Sequence, residues 1–510
     1  MEYKVKQVEK DNILYVLDNV PFTLDTISRD ITKIYVPSGS ENGYKELNLG
    51  LAPMIEPFSY SPYRITKIGI EDEVTVIMDS TTNAPVLAVM YANGLCANPD
   101  YMTLAEAKAV TNETLPSFEG NTDIKSFMEF KYFTGVTETK ARMFFNANNL
   151  ERVELPPTCK RINDRFAVFS TAKLDAGLES KLSYVGGVEN VEYVGVNAFQ
   201  FCYNIKKLNF TSKLKTIMNN AFGGIYTRVP IEDNRKCHLE SLGDLSGVET
   251  MESNVFQCQS ELRTANPTLL TSLESYIFGS CPKLKPTINW NKITEIKGGA
   301  FSLVTGTPYR KDYEDYYGSK ELCINLETIP NMPNLTKLYI ISFQNPNIKY
   351  IGDMPNLTTL DGIAQFNNCC NLISVGSMEK LKTLSKQCFG GCNRLEYFKD
   401  LSSLEEIGEI TFRNCLKLNQ HFPNVTKVGK NAFMIYANAE ESEYYMPEVE
   451  YTTISFGKSY DEITWGEQPF LNRKRVTIIC NGVELTDEQY TALGAVRPHS
   501  EVTEESTTEK

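Results

Sequence analysis

Leu384-(x)3-Cys388-Phe389-(x)2-Cys392-(x)2-Leu395, followed one step later by Ile407-Gly408-(x)3-Phe412-(x)2-Cys415, carries the spacing that organises this chain. The same offsets appear far upstream in Val194-Gly195-(x)2-Ala198-Phe199-(x)2-Cys202-(x)2-Ile205. Working outward, phenylalanine recurs at Phe144, Phe166, Phe199, Phe222, Phe256, Phe278, Phe301, Phe343, Phe366, Phe389, Phe412 and Phe433, with steps of 22 or 23 residues between most neighbours. Self-similarity at a fixed period of 20 to 50 residues marks a repeat architecture, in which each unit buries its apolar stripe only against its neighbours. The period predicts a mainly β solenoid of about twelve turns, roughly 60 Å long at about 4.8 Å per turn.

Leu, Ile, Phe and Cys at set offsets within a period of 20 to 29 residues give the leucine-rich-repeat signature. Five cysteines, Cys202, Cys281, Cys369, Cys392 and Cys415, stand three residues after a repeat phenylalanine, and Cys258 stands two after. A regularly spaced Cys in a core stripe is a small buried hydrophobe before it is a reactive group, so the pattern predicts a ladder of reduced thiols and not a disulfide framework.

A resemblance follows from Phe130-Lys131-Tyr132-Phe133-Thr134-Gly135-Val136-Thr137 and Phe144-(x)5-Leu150-Glu151-Arg152-Val153-Glu154-Leu155-Pro156. This stretch resembles BspA-type leucine-rich repeat proteins of gut and oral Bacteroidales and their phages, over about residues 86 to 490. The resemblance implies a scaffold fold. In many relatives an acidic, calcium-loop-like stretch precedes the first helix; here Asn93-Gly94-Leu95-Cys96-Ala97-Asn98-Pro99-Asp100 keeps one carboxylate, too few for a Ca²⁺ site. No cofactor or metal is expected.

The organisation reads as five parts. Residues 1–82 form a β-rich N-terminal attachment domain, with alternation in Tyr3–Val8, Ile13–Leu17 and Ile31–Val36 and turn signals at Pro21, Pro37-Ser38-Gly39 and Asn42-Gly43. Residues 83–135 form a linker and N-terminal cap with one short helix, Thr103 as N-cap and Glu106 completing a capping box. Repeats occupy 136–450, a C-terminal cap 451–495 with a helix started by Thr486, and an acidic mobile tail 496–510.

Three steps are long: 33 residues from Phe166 to Phe199, 34 from Phe222 to Phe256 and 42 from Phe301 to Phe343. A fourth expansion follows Phe433. The repeat resumes only if the extra residues are placed just after the phenylalanine, so all four insertions project from one edge. Three of them carry tyrosine beside charge, and predict a receptor-binding edge made of Tyr226, Arg228, Tyr309, Arg310, Tyr313, Tyr316, Tyr317, Tyr436, Tyr444 and Tyr445. Tyrosine gives a large, rigid, amphipathic contact at low entropic cost. The plainer reading is that these loops fold back over the solenoid or meet a neighbouring subunit.

Catalysis finds little support. His238, His421 and His499 are the only histidines and are dispersed, and neither G-x-x-x-x-G-K-[ST], G-x-S-x-G nor H-E-x-x-H occurs. Cys388-(x)3-Cys392 has a ligand-like spacing, but both positions belong to the repeat core. A net charge of −13 provides no basic surface for nucleic acid. No stretch approaches the roughly 18 apolar residues of a membrane span, and the start of the chain shows no apolar secretory segment. The function expected is a non-enzymatic bacteriophage virion protein. Residues 1–115 would hold it to other virion proteins, and the solenoid would bind a bacterial surface glycan or protein. A fibre of this kind would suit a homotrimer, by fold analogy. The alternatives are a bacterial cell-surface adhesin and a glycan-active enzyme built on the repeats.

Overall fold

A computed structural model describes residues 5–24, 27–60, 65, 68–168, 180–223, 238–302, 324–436 and 451–498. Each solenoid turn contributes two short strands and a phenylalanine corner. On one face Tyr350–Ile351, Ser374–Ser377 and Tyr397–Asp400 pair in parallel. On the next, Thr383–Leu384, Glu406–Ile407, Lys427–Val428 and Thr464–Trp465 do the same. Strand alternation sends Leu384, Ile407 and Ile351 inward while their neighbours face out. The strands are short because a corner follows at once. A Cβ on Gly408 would lie 2.7 Å from the Leu384 carbonyl oxygen, and one on Gly429 would lie 2.6 Å from Glu409 N. The glycine after the buried residue therefore lets one turn settle onto the last.

The third side is a column of rings. Phe118, Phe144, Phe166, Phe199, Phe222, Phe256, Phe278, Phe301, Phe343, Phe366, Phe389, Phe412, Phe433 and Phe470 follow one another with centroid separations from 4.6 to 6.3 Å, edge to face at Phe144–Phe166 and Phe166–Phe199 and stacked elsewhere. The column is thus longer than the twelve anchors of the sequence repeat. Phe118 and Phe470 lie in the stretches read as caps and fall outside the regular step. Between Phe343 and Phe389 the rings are nearly coplanar in orientation, 3° and 1° apart. Such pairs contribute about 0.5–1.5 kcal/mol each beyond their buried area. A matching backbone ladder runs beside them: Phe366 N donates to Cys388 O at 2.9 Å, Phe389 N to Thr411 O at 2.9 Å and Phe412 N to Ala432 O at 2.7 Å.

The ring column needs tight corners, and these need left-handed backbone. Asn197, Asn220, Asn254 and Asn431 stand two residues before their phenylalanine, and Asn146, Asn368, Asn414 and Asn472 two after, all with φ of 53–62°. Asn tolerates this region far better than bulky side chains do. Ile341 and Ile410 occupy the same position with φ of 47°, where a β-branched residue is strained.

The N-terminal strands Gln7–Lys10, Ile13–Val16, Lys33–Pro37 and Ile55–Phe58 form one sheet, antiparallel at first and parallel thereafter. Asp11 and Asn12, both left-handed, make the hairpin turn. Leu14, Val16, Ile34, Val36, Tyr44 and Ile55 pack on one face, and Val5, Val8, Tyr15, Leu17 and Ile70 on the other. Neither group joins the continuous core that runs from Met78 to Ala495.

Helix content departs from the sequence reading. The expected helix exists as Leu104–Ala109 with a complete Thr103–Glu106 capping box, but Glu41–Leu47, Glu71–Val74 and Ala84–Ala92 are helical too. Ala84–Ala92 is apolar nearly all round and buries Val86, Leu87 and Met90, so it shows no polar–apolar period to read. Asn42-Gly43 lies inside a helix and is not a turn; a Cβ on Gly43 would stand 2.6 Å from Pro21 Cγ, so close packing selects the glycine.

At the far end Thr452–Phe456 and Val476–Cys480 continue the parallel sheet, and Val483–Glu484 then turns back antiparallel through Asn481-Gly482. The helix Asp487–Ala492, capped by Thr486, lays Tyr490 over this end. Its hydroxyl accepts from Ile478 N at 2.8 Å and donates to Val476 O at 3.3 Å.

Two substitutions test this account. Ile410→Asn should raise stability by about 1 kcal/mol by relieving left-handed strain, read as a higher thermal midpoint. Phe389→Ala should lower it by about 3–5 kcal/mol; an unchanged midpoint would remove the ring column from the stability argument.

Candidate functional site

The sequence places the four insertions at one corner of the solenoid. On either side of each, the ring column continues: Phe166 to Phe199 at 5.7 Å, Phe222 to Phe256 at 6.3 Å, Phe301 to Phe343 at 5.4 Å and Phe433 to Phe470 at 4.6 Å. The described residues stop at Val168, Gly223, Ser302 and Tyr436 and resume at Ser180, His238, Ile324 and Tyr451, within the four steps where the sequence places the insertions. Of the residues expected to form the edge, Tyr226, Arg228, Tyr309, Arg310, Tyr313, Tyr316, Tyr317, Tyr444 and Tyr445 lie outside the described residues. Tyr436 is 40% exposed. It stands at the exit of the fourth insertion, where its hydroxyl accepts from Arg413 Nη1 at 3.3 Å, its ring lies 5.2 Å from that guanidinium, and its N–H donates to Asn414 Oδ1 at 3.0 Å.

The strand face presents further rings that the sequence reading did not single out. Tyr350 and Tyr397 are about half exposed and stand in one register column with Ser374 between them. Their signal was available: each begins a strand whose second residue, Ile351 or Phe398, is buried. Tyr184 shares the column's position on an earlier turn, its hydroxyl donating to Glu154 Oε2 at 2.7 Å beneath the Arg152 guanidinium.

Charges around these faces are largely matched from one turn to the next. Lys160–Glu192, Lys349–Glu327, Lys382–Glu405 and Lys386–Glu409 pair at 2.8–3.0 Å. Exposed pairs of this kind fix register more than they stabilise. Hydrogen bonding to Lys399, and then to the Ser377 backbone, holds the Asp353 carboxyl below its ordinary range.

The thiols belong to the core. All eleven described cysteines are free, and several bridge successive turns. The thiols of Cys281, Cys369, Cys392 and Cys415 donate to the carbonyls of Phe256, Phe343, Phe366 and Phe389 at 2.8, 2.9, 3.2 and 3.2 Å. Each bond ties one turn to the preceding corner. Burial pushes Cys202, Cys258 and Cys415 up to about 12. Such thiols are poor nucleophiles. Among the described residues no group of three His, Cys, Asp or Glu could hold a metal ion. His421 Nδ1 and Ser455 Oγ lie 2.9 Å apart, but among the described residues no carboxylate bonds the other ring nitrogen to complete a triad. No helix among the described residues is long and apolar enough to cross a membrane.

Two strand faces, a ring corner and a thiol rung in successive turns define a leucine-rich-repeat solenoid. The model of the BspA-type leucine-rich repeat region matches in six copies over residues 106–175, 179–306 and 319–443, more than half of the sequence, and the chain belongs to that family. No curated protein matches it. Among solved structures, it is similar to a leucine-rich repeat protein from Bacteroides ovatus, with 19% identity, a TM-score of 0.40 and coverage of 68% of this chain and 78% of that one. A leucine-rich cell surface protein from Faecalibacterium prausnitzii has 15% identity and a TM-score of 0.35 over 66% of this chain and 83% of its own. A leucine-rich repeat protein from Eubacterium ventriosum has 15% identity and a TM-score of 0.26 over 56% and 77%.

The thiol column has a measurable pH signature. Unfolding returns each buried thiol to about 8.5, so the folded chain holds protons that the unfolded chain releases. Their contribution is complete below about pH 8.5 and is lost as pH rises towards about 12. The thermal midpoint should therefore fall between about pH 9 and 11, and Cys415→Ala should shrink that fall; an unaltered alkaline profile in the variant would exclude this thiol.

Proposed function

We propose that this protein is a non-enzymatic recognition module, with the solenoid as a rigid support and the edge bearing the insertions as the contact surface. The observation that carries the reading is the unbroken ring column: Phe166 meets Phe199, Phe222 meets Phe256, Phe301 meets Phe343 and Phe433 meets Phe470 across each of the four steps that the sequence lengthens. Insertions confined to one side of a repeat array supply binding surfaces without disturbing the shared core. The composition of those segments supports a protein or glycan partner, since tyrosine and flanking charge suit both. Repeats of this architecture present extended surfaces rather than enclosed pockets, which favours binding over catalysis.

The reading extends to display at a surface. On the leading version the protein belongs to a phage particle, held through residues 1–115, and meets a receptor on the bacterial envelope. The separate packing of the N-terminal sheet supports a distinct role for that part. The second version places the same protein on the bacterial surface as an adhesin. Immunogold labelling of the source culture with antibodies against residues 120–495 separates them: gold on particles supports the first, gold on envelopes the second, and gold confined to the cytosol overturns both.

Deleting residues 304–320 should abolish binding to the bacterial surface while leaving the β-rich circular dichroism and the thermal transition in place. Retained binding would remove that insertion from the contact surface.

A further inference from the structure

The tyrosines on and beside the strand faces of the solenoid fall into two groups. Tyr184 lies 5.1 Å from the Arg152 guanidinium, Tyr193 lies 3.4 Å from that of Arg161, and Tyr339 has the ammonium groups of Lys297 and Lys337 each 4.4 Å from its ring. In these cases the chain supplies a cation to its own ring. Tyr350 and Tyr397 form the other group. Both are about half exposed. Among the described residues no lysine or arginine lies over either ring, and neither hydroxyl has a hydrogen-bond partner.

Their register makes one site of the two. Tyr350 pairs with Ser374, and Ser374 with Tyr397, in parallel. The rings therefore rise two strands apart, about 9.6 Å at about 4.8 Å per strand, from a floor that carries one small side chain. A cation seated over Ser374 is about 5 Å from each of the two positions, within the roughly 6 Å over which an aromatic face attracts it.

The neighbouring column adds charge. It runs through Glu327, Lys349, Ile373 and Glu396, each N–H donating to the carbonyl of the turn before at 2.7–2.8 Å. Lys349 is taken up by Glu327 at 3.0 Å, and Lys399, two residues beyond Tyr397, by Asp353 at 2.8 Å. Glu396 is exposed and forms no ion pair with a described residue. Two bare rings and one uncompensated carboxylate thus stand together, a set complementary to a positive charge. Tyr184 shows the completed arrangement within this chain: a guanidinium beside the ring and the hydroxyl donating to the Glu154 carboxylate.

We propose that Tyr350, Ser374, Tyr397 and Glu396 form a second contact surface, independent of the insertion edge, that receives an arginine side chain of a partner protein. Arginine suits it better than lysine, because a planar guanidinium stacks on aromatic faces while its N–H groups pair with a carboxylate. The surface is built on hydrogen-bonded strands, so it exists before the partner arrives and little ordering opposes binding.

The test applies the full-length protein to an array of short glycine–serine peptides that carry either arginine or citrulline at the centre. Citrulline keeps the shape of the side chain and removes its charge. Arginine peptides should bind about fivefold more strongly than citrulline peptides. Tyr350→Ser combined with Tyr397→Ser leaves the net charge unchanged and should abolish most of that difference; Glu396→Gln should remove part of it. Ser374→Arg should fill the site from within, blocking arginine peptides as Arg152 occupies Tyr184. Equal arginine binding by the wild type and the double tyrosine variant, or equal binding of arginine and citrulline peptides by the wild type, would overturn the proposal. If the double variant does not fold, Ser374→Arg decides the matter, and undiminished arginine binding there overturns it.

Discussion

The contact between one turn and the next is what the rest of this molecule depends on. Each turn gives its corner N–H to the carbonyl before the next phenylalanine and lays its ring on that phenylalanine, as from Phe366 to Phe389 and on to Phe412. Stability in such an array is close to a sum of nearest-neighbour terms. The glycines at 408 and 429, the left-handed asparagines and the thiol bonds to phenylalanine carbonyls all serve that single contact. None of them depends on what lies in the loops, so segments as long as residues 303–323 can be accommodated.

Most of the fold was legible because it repeats. A ring every 22 or 23 residues, a thiol three places later and a capped helix at Thr103 or Thr486 are local signals, and each corresponds to an observed feature. Phe118 and Phe470 escaped because they stand in the stretches read as caps, with Asn121 and Arg473 rather than a thiol three places later. Ala84–Ala92 escaped for another reason: a helix apolar nearly all round carries no amphipathic stripe, although only Val86, Leu87 and Met90 are buried. Asn42-Gly43 misled because the glycine answers a neighbour, Pro21, that is distant in sequence.

The candidate edge was legible only as composition. Sequence places tyrosines in three of the four insertions, and Tyr436 shows how such a ring sits beside the corner, hydrogen-bonded by Arg413. The burial of Arg473 could not be foreseen from its charge. It follows from register, since residue 473 inherits an interior position that thiols fill in earlier turns.

The antiparallel strand Val483–Glu484 determines more than the end of a sheet. A parallel solenoid exposes at each terminus a row of unpaired backbone groups that invites another copy to continue it. Here the reversal at Asn481-Gly482 and the helix carrying Tyr490 occlude that row, while at the opposite end of the N-terminal sheet the hairpin through Asp11-Asn12 places an antiparallel strand outermost. Copies cannot extend this sheet end to end past its C-terminal strand by simple continuation of the parallel ladder. On that face the sheet of one molecule stops at Val483–Glu484, and a second copy meets only an antiparallel edge there.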